Sequence, residues 1–266
     1  LGEVSYINCL KGRPLAQNSP IILVGDSVVL YNEITLYDVS TKTQKKVKID
    51  KWQDQQMRIL HSDTKANKLY LERRNRRNTM LDVCEVDLST GDVKVIIHEE
   101  GDPYIGIELA SITFLNDYKD IIWWSERTGH GHLYHYDGEG NLKNVITSGN
   151  WTAGKVVSID EKNRTVYFQA YGVTPGENPS YAKICKANVD GKGKMVVLTP
   201  EEATHNVIFC PSKRFIIDAF SRPDLPYQFT VRDTRQGDLV FKLSELDLND
   251  MYKQGWKMPE TFSVKA

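Results

Sequence analysis

The chain has 266 residues, of which 40% are hydrophobic and 10% aromatic, and its net charge is −1. This composition can bury a substantial core, and all-β folds of this size are commonly one domain. The near-neutral charge excludes a global attraction to nucleic acids or anionic membranes. No apolar run approaches the length of about 18 residues that a membrane-spanning helix needs.

Short polar turns recur along the chain, each after a stretch that reads as a β-strand. The strands before these turns end at Asp38, Asp87, Asp137, Asn188 and Asp233. The interval between them is about 50 residues, which is the size of a propeller blade of four strands. The sequence therefore predicts an all-β chain, a β-propeller of four-stranded antiparallel blades, as a single domain over residues 1–266.

The predicted strands follow this period in chain order. An incomplete first blade contributes residues 34–38, and the next blade contributes 68–72, 80–87 and 93–98. The clearest blade has strands at 112–115, 120–125, 132–137 and 142–147. Two further copies follow at 155–159, 165–171, 182–187 and 195–199, and at 205–210, 215–220, 228–233 and 239–243. The prediction is about five blades, four of them well defined.

Two stretches between these strands are interpreted as loops. The basic run at residues 73–77 is expected to be a solvated hairpin within a blade, not a nucleic-acid site. The Pro- and Gly-rich residues 172–179 are expected to form a long loop between the second and third strands of their blade.

The four cysteines form no CxxC pair, so neither a zinc ribbon nor a redox motif is supported. Three of them, Cys84, Cys185 and Cys210, fall on predicted strands, where we expect buried free thiols. Cys9 lies outside the predicted strands.

One histidine cluster, His130, His132 and His135, follows the Ser125-Glu126-Arg127 motif. Strand alternation places His130 and His132 on one face and His135 on the other, so we expect local hydrogen bonding and no metal site. The chain has no G-x-S-x-G nucleophile elbow and no glycine-rich phosphate loop. We therefore predict no catalytic residue and no cofactor in this chain.

Several motifs occur together in a fixed order. They are residues 71–91, then Ser125-Glu126-Arg127 with Gly131-His132-Leu133-Tyr134, residues 146–151, residues 205–211, residues 221–226 and residues 259–265. In this combination the chain resembles the propeller of the dipeptidyl peptidase IV family of serine peptidases, which belongs with the prolyl oligopeptidase-like enzymes. The resemblance covers roughly residues 60–266 and is faint before residue 60.

The resemblance implies an eight-bladed propeller joined to an α/β-hydrolase domain that carries the Ser-Asp-His triad. The chain ends at Ala266, where that domain would begin, so we expect the later part of the propeller as a partial ring without the catalytic domain. The expected function is to gate the active-site cavity of a serine dipeptidyl aminopeptidase and to help position the amino terminus of the peptide. The expected partners are the peptide and the hydrolase domain of the same polypeptide, and the expected location is extracytoplasmic, either periplasmic or secreted.

The chain departs from the family pattern at the substrate-binding positions. Its adjacent glutamates, at residues 99–100 and 201–202, do not lie in the family's amine-binding motif. Where mammalian members carry an aromatic residue and an arginine, residues 102–108 contain no arginine, and Tyr104 and Glu108 are the candidate substrate-binding residues. Some members bridge the cysteine matched by Cys84 to one eleven positions on, which is Val95 here.

The sequence leaves three questions open: how the blades close, whether the chain associates, and which function it has. The blades form a partial ring, or residues 1–34 contribute strands that close a smaller ring. Exposed end blades favour association, and a homodimer is one expected assembly. A stand-alone propeller that binds a protein or glycan is the alternative to the peptidase function.

Overall fold

The structure is a computed structural model that describes residues 2–10, 12–21, 26, 31–262 and 264–265. These residues form 20 β-strands in six antiparallel sheets, with one short helix. The chain divides into two compact units, one up to Tyr104 and one from Ile105 onward, called here the first and second unit. No helix among the described residues is both long enough and apolar enough to cross a membrane.

The first unit contains two hairpins and one four-stranded sheet. The hairpins pair β1 (Gly2–Asn8) with β2 (Leu15–Ile21) and β3 (Thr35–Asp38) with β4 (Thr43–Lys46). The sheet has the order β5 (Gln56–Asp63), β6 (Lys68–Arg74), β7 (Met80–Asp87) and β8 (Val93–Glu100). Its core consists of Val47, Ile49, Leu69, Leu71, Cys84 and Val86.

The second unit contains three four-stranded antiparallel sheets, each built from four consecutive strands. The first has β9 (Ile112–Leu115), β10 (Asp120–Ser125), β11 (His132–Asp137) and β12 (Leu142–Val145). The second has β13 (Thr152–Asp160), β14 (Thr165–Tyr171), β15 (Ala182–Asn188) and β16 (Val196–Val197). The third has β17 (Thr204–Phe209), β18 (Phe215–Arg222), β19 (Leu225–Asp233) and β20 (Leu239–Glu245), followed by α1 (Asn249–Lys253).

The polar turns that define the repeat share one local structure. In each turn an Asp or Asn side-chain oxygen accepts a hydrogen bond from the backbone N–H two residues further on. The distances are 2.8, 2.6, 3.0, 2.9 and 2.8 Å at Asp38, Asp87, Asp137, Asn188 and Asp233. These side chains replace a backbone turn hydrogen bond, so the same turn forms at each repeat.

The prediction of four-stranded antiparallel blades is confirmed, with four complete blades and β3–β4 as the less complete one. The predicted strands at 80–87, 112–115, 120–125, 132–137 and 165–171 have the observed bounds. The strands β1, β2, β4 and β5 and the helix α1 lie outside the predicted elements. The predicted strand at 195–199 is only two residues long, because β16 pairs with β15 only at Lys186 and Cys185.

Some predictions about loops and termini are corrected or fall outside the described residues. Arg73 is a buried member of β6 that binds Asp82, so it does not belong to a solvated hairpin. Cys210 follows β17 and is only partly buried, whereas Cys84 and Cys185 are buried free thiols. The long loop at residues 172–179 lies between β14 and β15 as predicted. The closed-ring alternative involves residues 1, 11, 22–25 and 27–30, which lie outside the described residues, as do 263 and 266.

Candidate functional site

The turn at residues 105–110, which precedes β9, is held in place by the burial of its first and last residues. Ile105 and Ala110 are buried, and the backbone N–H groups of Leu109 and Ala110 both donate to the carbonyl of Gly106 at 3.0 Å. Glu126, which follows β10, accepts a hydrogen bond of 2.8 Å from the Gly106 N–H through its Oε1. A Cβ atom at position 106 would lie 3.1 Å from Oε2 of the same carboxylate, so glycine allows this close approach.

The tip of this turn faces solvent. Glu108 is exposed, and Leu109 is 53% exposed. Tyr104, which belongs to the first unit, is 62% exposed. The assignment of Tyr104 and Glu108 as substrate-binding residues stays a prediction, and both side chains are accessible to a ligand.

The Ser125-Glu126-Arg127 motif, at the end of β10, contacts β11 and the 105–110 turn. Arg127 donates from Nε to Ser125 Oγ at 2.9 Å, and its guanidinium carbon lies 4.5 Å from the centre of the Tyr134 ring. This cation–π geometry orients the arginine over β11. Of the three motif residues, Glu126 is the one that contacts the 105–110 turn, through its hydrogen bond with the Gly106 N–H.

Replacing Glu126 with alanine is expected to loosen the 105–110 turn without unfolding the blade. The lost hydrogen bond involves a charged acceptor, for which a net contribution of about 1.5 kcal/mol or more is typical. Local opening of the turn should therefore rise about tenfold, measured as faster amide hydrogen exchange of Gly106, Leu109 and Ala110.

Glu126→Gln keeps an oxygen acceptor and should retain part of the protection. Glu139→Ala, which alters an exposed glutamate in another turn, should leave exchange in the 105–110 turn unchanged. Equal exchange in Glu126→Ala and the unmodified chain would contradict the role of Glu126.

The histidines have different environments. His130 is exposed in the turn before β11, so the expectation that it shares a strand face with His132 is wrong. His132 is buried, with Nδ1 3.1 Å from Thr147 Oγ1 and Nε2 3.0 Å from the Gly149 carbonyl oxygen. His132 therefore makes the local hydrogen bonds that the sequence indicates.

His135 lies in an ionic network that joins two blades of the second unit. Its Nε2 is 2.8 Å from Asp120 Oδ1, and Arg164 donates to Asp120 and Asp190 at 2.8 and 2.6 Å. Burial is the largest single influence on the pKa of Asp120, and it raises that pKa. The hydrogen bonds and charges of His135 and Arg164 together outweigh burial, so the pKa of Asp120 lies below its usual value. This network connects β10 and β11 to the turn before β14.

The burial of His132 predicts a loss of stability in acid. Burial lowers its pKa below the usual value, whereas the unfolded chain titrates near the ordinary pKa of about 6.5. Between the two pKa values the unfolded chain binds more protons, so the free energy of unfolding should fall as the pH drops from about 6.5 through the folded pKa.

Urea unfolding measured from pH 7.5 to 5 checks this expectation. His132→Gln should reduce the acid loss, and His130→Gln should not. His98 acts in the opposite sense, because Glu100 and Asp82 raise its pKa and its contribution is lost as the pH rises. An unchanged pH profile in His132→Gln would refute the assignment.

No sequence signal predicts the charged cluster at the β17–β20 blade, in which His205, Asp218 and Arg232 are buried and Glu201 is partly exposed. Ligand atoms of Glu201, His205 and Asp218 lie within 4.8 Å of one another. Arg232 contacts both carboxylates, with its Nε 3.1 Å from Asp218 Oδ2 and its Nη2 bonded to Glu201 Oε1. Because the guanidinium supplies the positive charge there, we assign the cluster a structural role. The adjacent Glu202 accepts a hydrogen bond of 2.9 Å from the Asn178 N–H.

The first unit has a comparable cluster around Asp82, which is fully buried. Lys51 Nζ, Arg73 Nε and His98 Nδ1 lie 2.9, 2.8 and 2.6 Å from its carboxylate oxygens. Burial raises the pKa of Asp82, but these three partners outweigh burial and bring the pKa below its usual value. Cys84 pairs directly with Val95 across β7 and β8, so the position eleven residues on is its cross-strand neighbour.

Repeated four-stranded blades with the same Asx turn, two of which are connected by the Asp120–Arg164 network, define a propeller-type region. The family model described as the dipeptidyl peptidase IV (DPP IV) N-terminal region matches residues 31–227, which is more than half of the chain. The chain belongs to this family.

Curated relatives agree with this membership, and a solved structure has the same fold. The chain is 24% identical over 210 residues to dipeptidyl peptidase 4 of Trichophyton equinum, covering 72% of this chain and 26% of that protein. The match to dipeptidyl peptidase 4 of Trichophyton rubrum is 24% identical over 215 residues with the same coverage. The crystal structure of Porphyromonas gingivalis dipeptidyl peptidase 4 matches with a TM-score of 0.75 and 21% identity, over 95% of this chain and 35% of that chain. The chain thus spans about a quarter of the length of these curated relatives, and the solved structure supports the propeller fold.

Proposed function

We propose that the chain is the non-catalytic propeller region of a dipeptidyl peptidase IV-like serine exopeptidase. The match of the N-terminal-region family over residues 31–227 carries this proposal. In this proposal, an α/β-hydrolase domain of the same polypeptide carries out catalysis. The propeller limits access to the active-site cavity, admits short or unfolded peptides and helps position the peptide's amino terminus. The proposed location is extracytoplasmic, which fractionation of the native cells tests directly.

The gating part of the proposal is supported by the dense packing and ionic pairing inside the blades. Every residue of β10 is buried, and charged side chains such as Asp120, Asp218 and Asp82 are held in ionic networks. In the proposal, a wall built from such blades excludes folded proteins. The 105–110 turn supports the positioning part, because it presents Glu108 on a fixed backbone.

Substrate assays on the complete protein encoded with this chain test the proposal. The complete protein should cleave a Gly-Pro anilide, its reading frame should continue past Ala266 into a domain with a Gly-x-Ser-x-Gly elbow, and residues 1–266 alone should be inactive. Cleavage by the 266-residue chain alone, or a stop codon after Ala266, would contradict the proposal.

Substitutions at the two candidate residues test positioning. Glu108→Ala should raise KM about tenfold with a smaller change in kcat, because a charged contact to the substrate's amino group is worth about 1.4 kcal/mol or more. Tyr104→Ala should raise KM more for long peptides than for a dipeptide anilide. Glu139→Ala serves as the control for loss of a surface charge. Unchanged KM values for both variants would remove Tyr104 and Glu108 from the site.

A further inference from the structure

The first unit contains a cavity between the β3–β4 hairpin and two turns of the β5–β8 sheet. Its volume is about 530 Å³, and small-molecule sites in proteins commonly measure roughly 300–1,000 Å³. The hairpin contributes Tyr37, Asp38 and Lys45 to the lining, and the two turns contribute Asn67 and Ser89. The cavity is therefore large enough for a small molecule, and polar side chains form much of its lining.

The two walls of the cavity are held together by the packing of the first unit. Lys48, two residues after β4, donates a 2.9 Å backbone hydrogen bond to the carbonyl of Gly91 in the β7–β8 turn. Leu36 from the hairpin and Leu88 from the same turn line the cavity and pack against the buried core of this unit. The cavity is therefore preformed in the folded chain, and part of its lining is apolar.

Asn67, on one wall of the cavity, has an equivalent in the second unit. Asn67 and Arg164 each directly precede the second strand of their sheet, at φ values of 59° and 51°. The Asn67 carbonyl accepts a 3.0 Å hydrogen bond from the N–H of Leu88, the residue after the third strand. The Arg164 carbonyl accepts the corresponding bond, of 2.8 Å, from Val189. Asn67 and Arg164 therefore hold the same place in their blades.

The side chains at this shared place reach different partners. Arg164 donates to Asp120 of the preceding blade at 2.8 Å and to Asp190 of its own blade at 2.6 Å. The shorter Asn67 side chain donates to Ser89 Oγ within its own blade. The arginine that fills this place between two blades of the second unit is thus replaced in the first unit by a short side chain, which leaves the cavity open.

The two charged residues of the lining have partners within the protein. Lys45 Nζ donates to the Ser89 carbonyl. Asp38 Oδ1 accepts hydrogen bonds from the Ser40 hydroxyl at 2.6 Å and from the backbone N–H groups of Thr41 and Ser40 at 3.1 and 2.8 Å. These bonds lower the pKa of Asp38 from 3.8 to about 2, so its carboxylate is ionised at neutral pH. One charge of each sign favours a neutral ligand over an ion.

The other polar groups of the lining include both donors and acceptors of hydrogen bonds. Thr43 and Ser89 carry hydroxyls, Asn67 carries a carboxamide, and Asp38 Oδ2 is an acceptor that none of the three bonds above uses. Tyr37 is 60% exposed, so much of its ring is accessible as an apolar surface with a polar end. A saccharide matches this set, because its hydroxyls donate and accept while the C–H groups of its ring form an apolar face.

We propose that this cavity binds a neutral saccharide, with the sugar ring against Tyr37 and its hydroxyls bonded to Asp38, Asn67 and Ser89. The site is separate from the candidate peptide-binding residues. Ser89 lies before the start of β8 and Tyr104 after its end, and the eight residues of β8 span roughly 20–25 Å. Saccharide binding is therefore a further function, and its measurement does not depend on peptidase activity.

Titration of the complete protein with sugars, followed by saturation-transfer-difference NMR, tests the proposal. The probes are glucose, galactose, mannose, N-acetylglucosamine, maltose and cellobiose. At least one of them should bind saturably, and Tyr37→Ala should weaken its binding at least tenfold. Tyr31→Ala is the matched control, because Tyr31 is a 55% exposed tyrosine of the same unit that does not line the cavity, and it should bind the sugar like the unmodified protein.

Asn67→Arg gives a second reading, because it introduces the side chain that Arg164 carries at the equivalent place. The similar φ values of the two residues allow the substitution, so circular dichroism should show an unchanged fold while sugar binding is lost. Binding of the free sugar indicates a soluble saccharide, and binding only of its albumin conjugate indicates a protein-linked glycan, and either result supports the proposal.

Three results would overturn the proposal. The first is that none of the six sugars binds, free or conjugated. The second is that Tyr37→Ala and Asn67→Arg bind the sugar as well as the unmodified protein does. The third is tighter binding of glucuronate or glucosamine than of the neutral sugars, which would assign the cavity to an ion.

Discussion

Replacing Trp124 with alanine is expected to lower the free energy of unfolding of the second unit by about 3–5 kcal/mol. Trp124 is 1% exposed on β10, and its indole Nε1 donates a 2.6 Å hydrogen bond to the carbonyl of the buried Ala153 on β13. The substitution removes a large apolar side chain and leaves that carbonyl without its donor. Both losses act on the contact between two blades.

Urea unfolding monitored by circular dichroism measures this loss. Trp124→Phe keeps most of the apolar volume but loses the donor, so it should cost about 1–3 kcal/mol. Trp256→Ala, at a tryptophan that is 38% exposed after α1, should change stability by about 0.5 kcal/mol or less. A loss in Trp124→Ala no larger than that in Trp256→Ala would contradict the role of Trp124 between the blades.

A neighbouring glycine reflects the same packing. A Cβ atom at Gly131 would lie 2.2 Å from Cζ2 of Trp124. The Gly131 carbonyl also accepts a 2.7 Å hydrogen bond from the Ala153 N–H. The glycine lets the indole lie directly against the chain that enters β11, which explains why glycine occupies this position.

The blade architecture could be predicted from sequence because its signals are local. The Asp or Asn at each repeat acts on a backbone N–H only two residues away, and the strands between the turns have the expected length. The first hairpin was missed because β1 and β2 are largely exposed, and an alternating apolar pattern is short in β1, at Val4 and Tyr6, and absent from β2. Strand β5 was missed because it is mainly polar and its apolar alternation is limited to Met57 and Ile59.

The candidate site was only partly accessible from sequence. Glu126 is 20 residues from Gly106, so nothing local in the sequence shows that its carboxylate fixes the turn that carries Glu108. Arg73 looked like part of a solvated basic run, and only the β6–β7 register brings it beside Asp82. Long-range pairing decides these features.

A second large loss of stability is expected from a substitution in the charged cluster of the β17–β20 blade. Asp218→Ala is expected to lower the free energy of unfolding by about 3 kcal/mol, because it leaves the buried Arg232 with only the partly exposed Glu201 carboxylate and leaves His205 Nδ1 without its partner. Asp218 is fully buried, and it lies 2.9 Å from His205 Nδ1 and 3.1 Å from Arg232 Nε. Arg232 is 2% exposed, so solvent does not replace the lost carboxylate.

Two comparisons separate this explanation from a simple loss of contacts. Asp224→Ala breaks a 2.6 Å ion pair with Arg222 that is about one-third exposed, and it should cost about 1 kcal/mol or less. The double variant Asp218→Leu with Arg232→Met removes both charges, so it should be more stable than Asp218→Ala. If the double variant is instead less stable, the penalty arises from lost packing and hydrogen bonds, and the charge of Arg232, left with Glu201 alone, is not its cause.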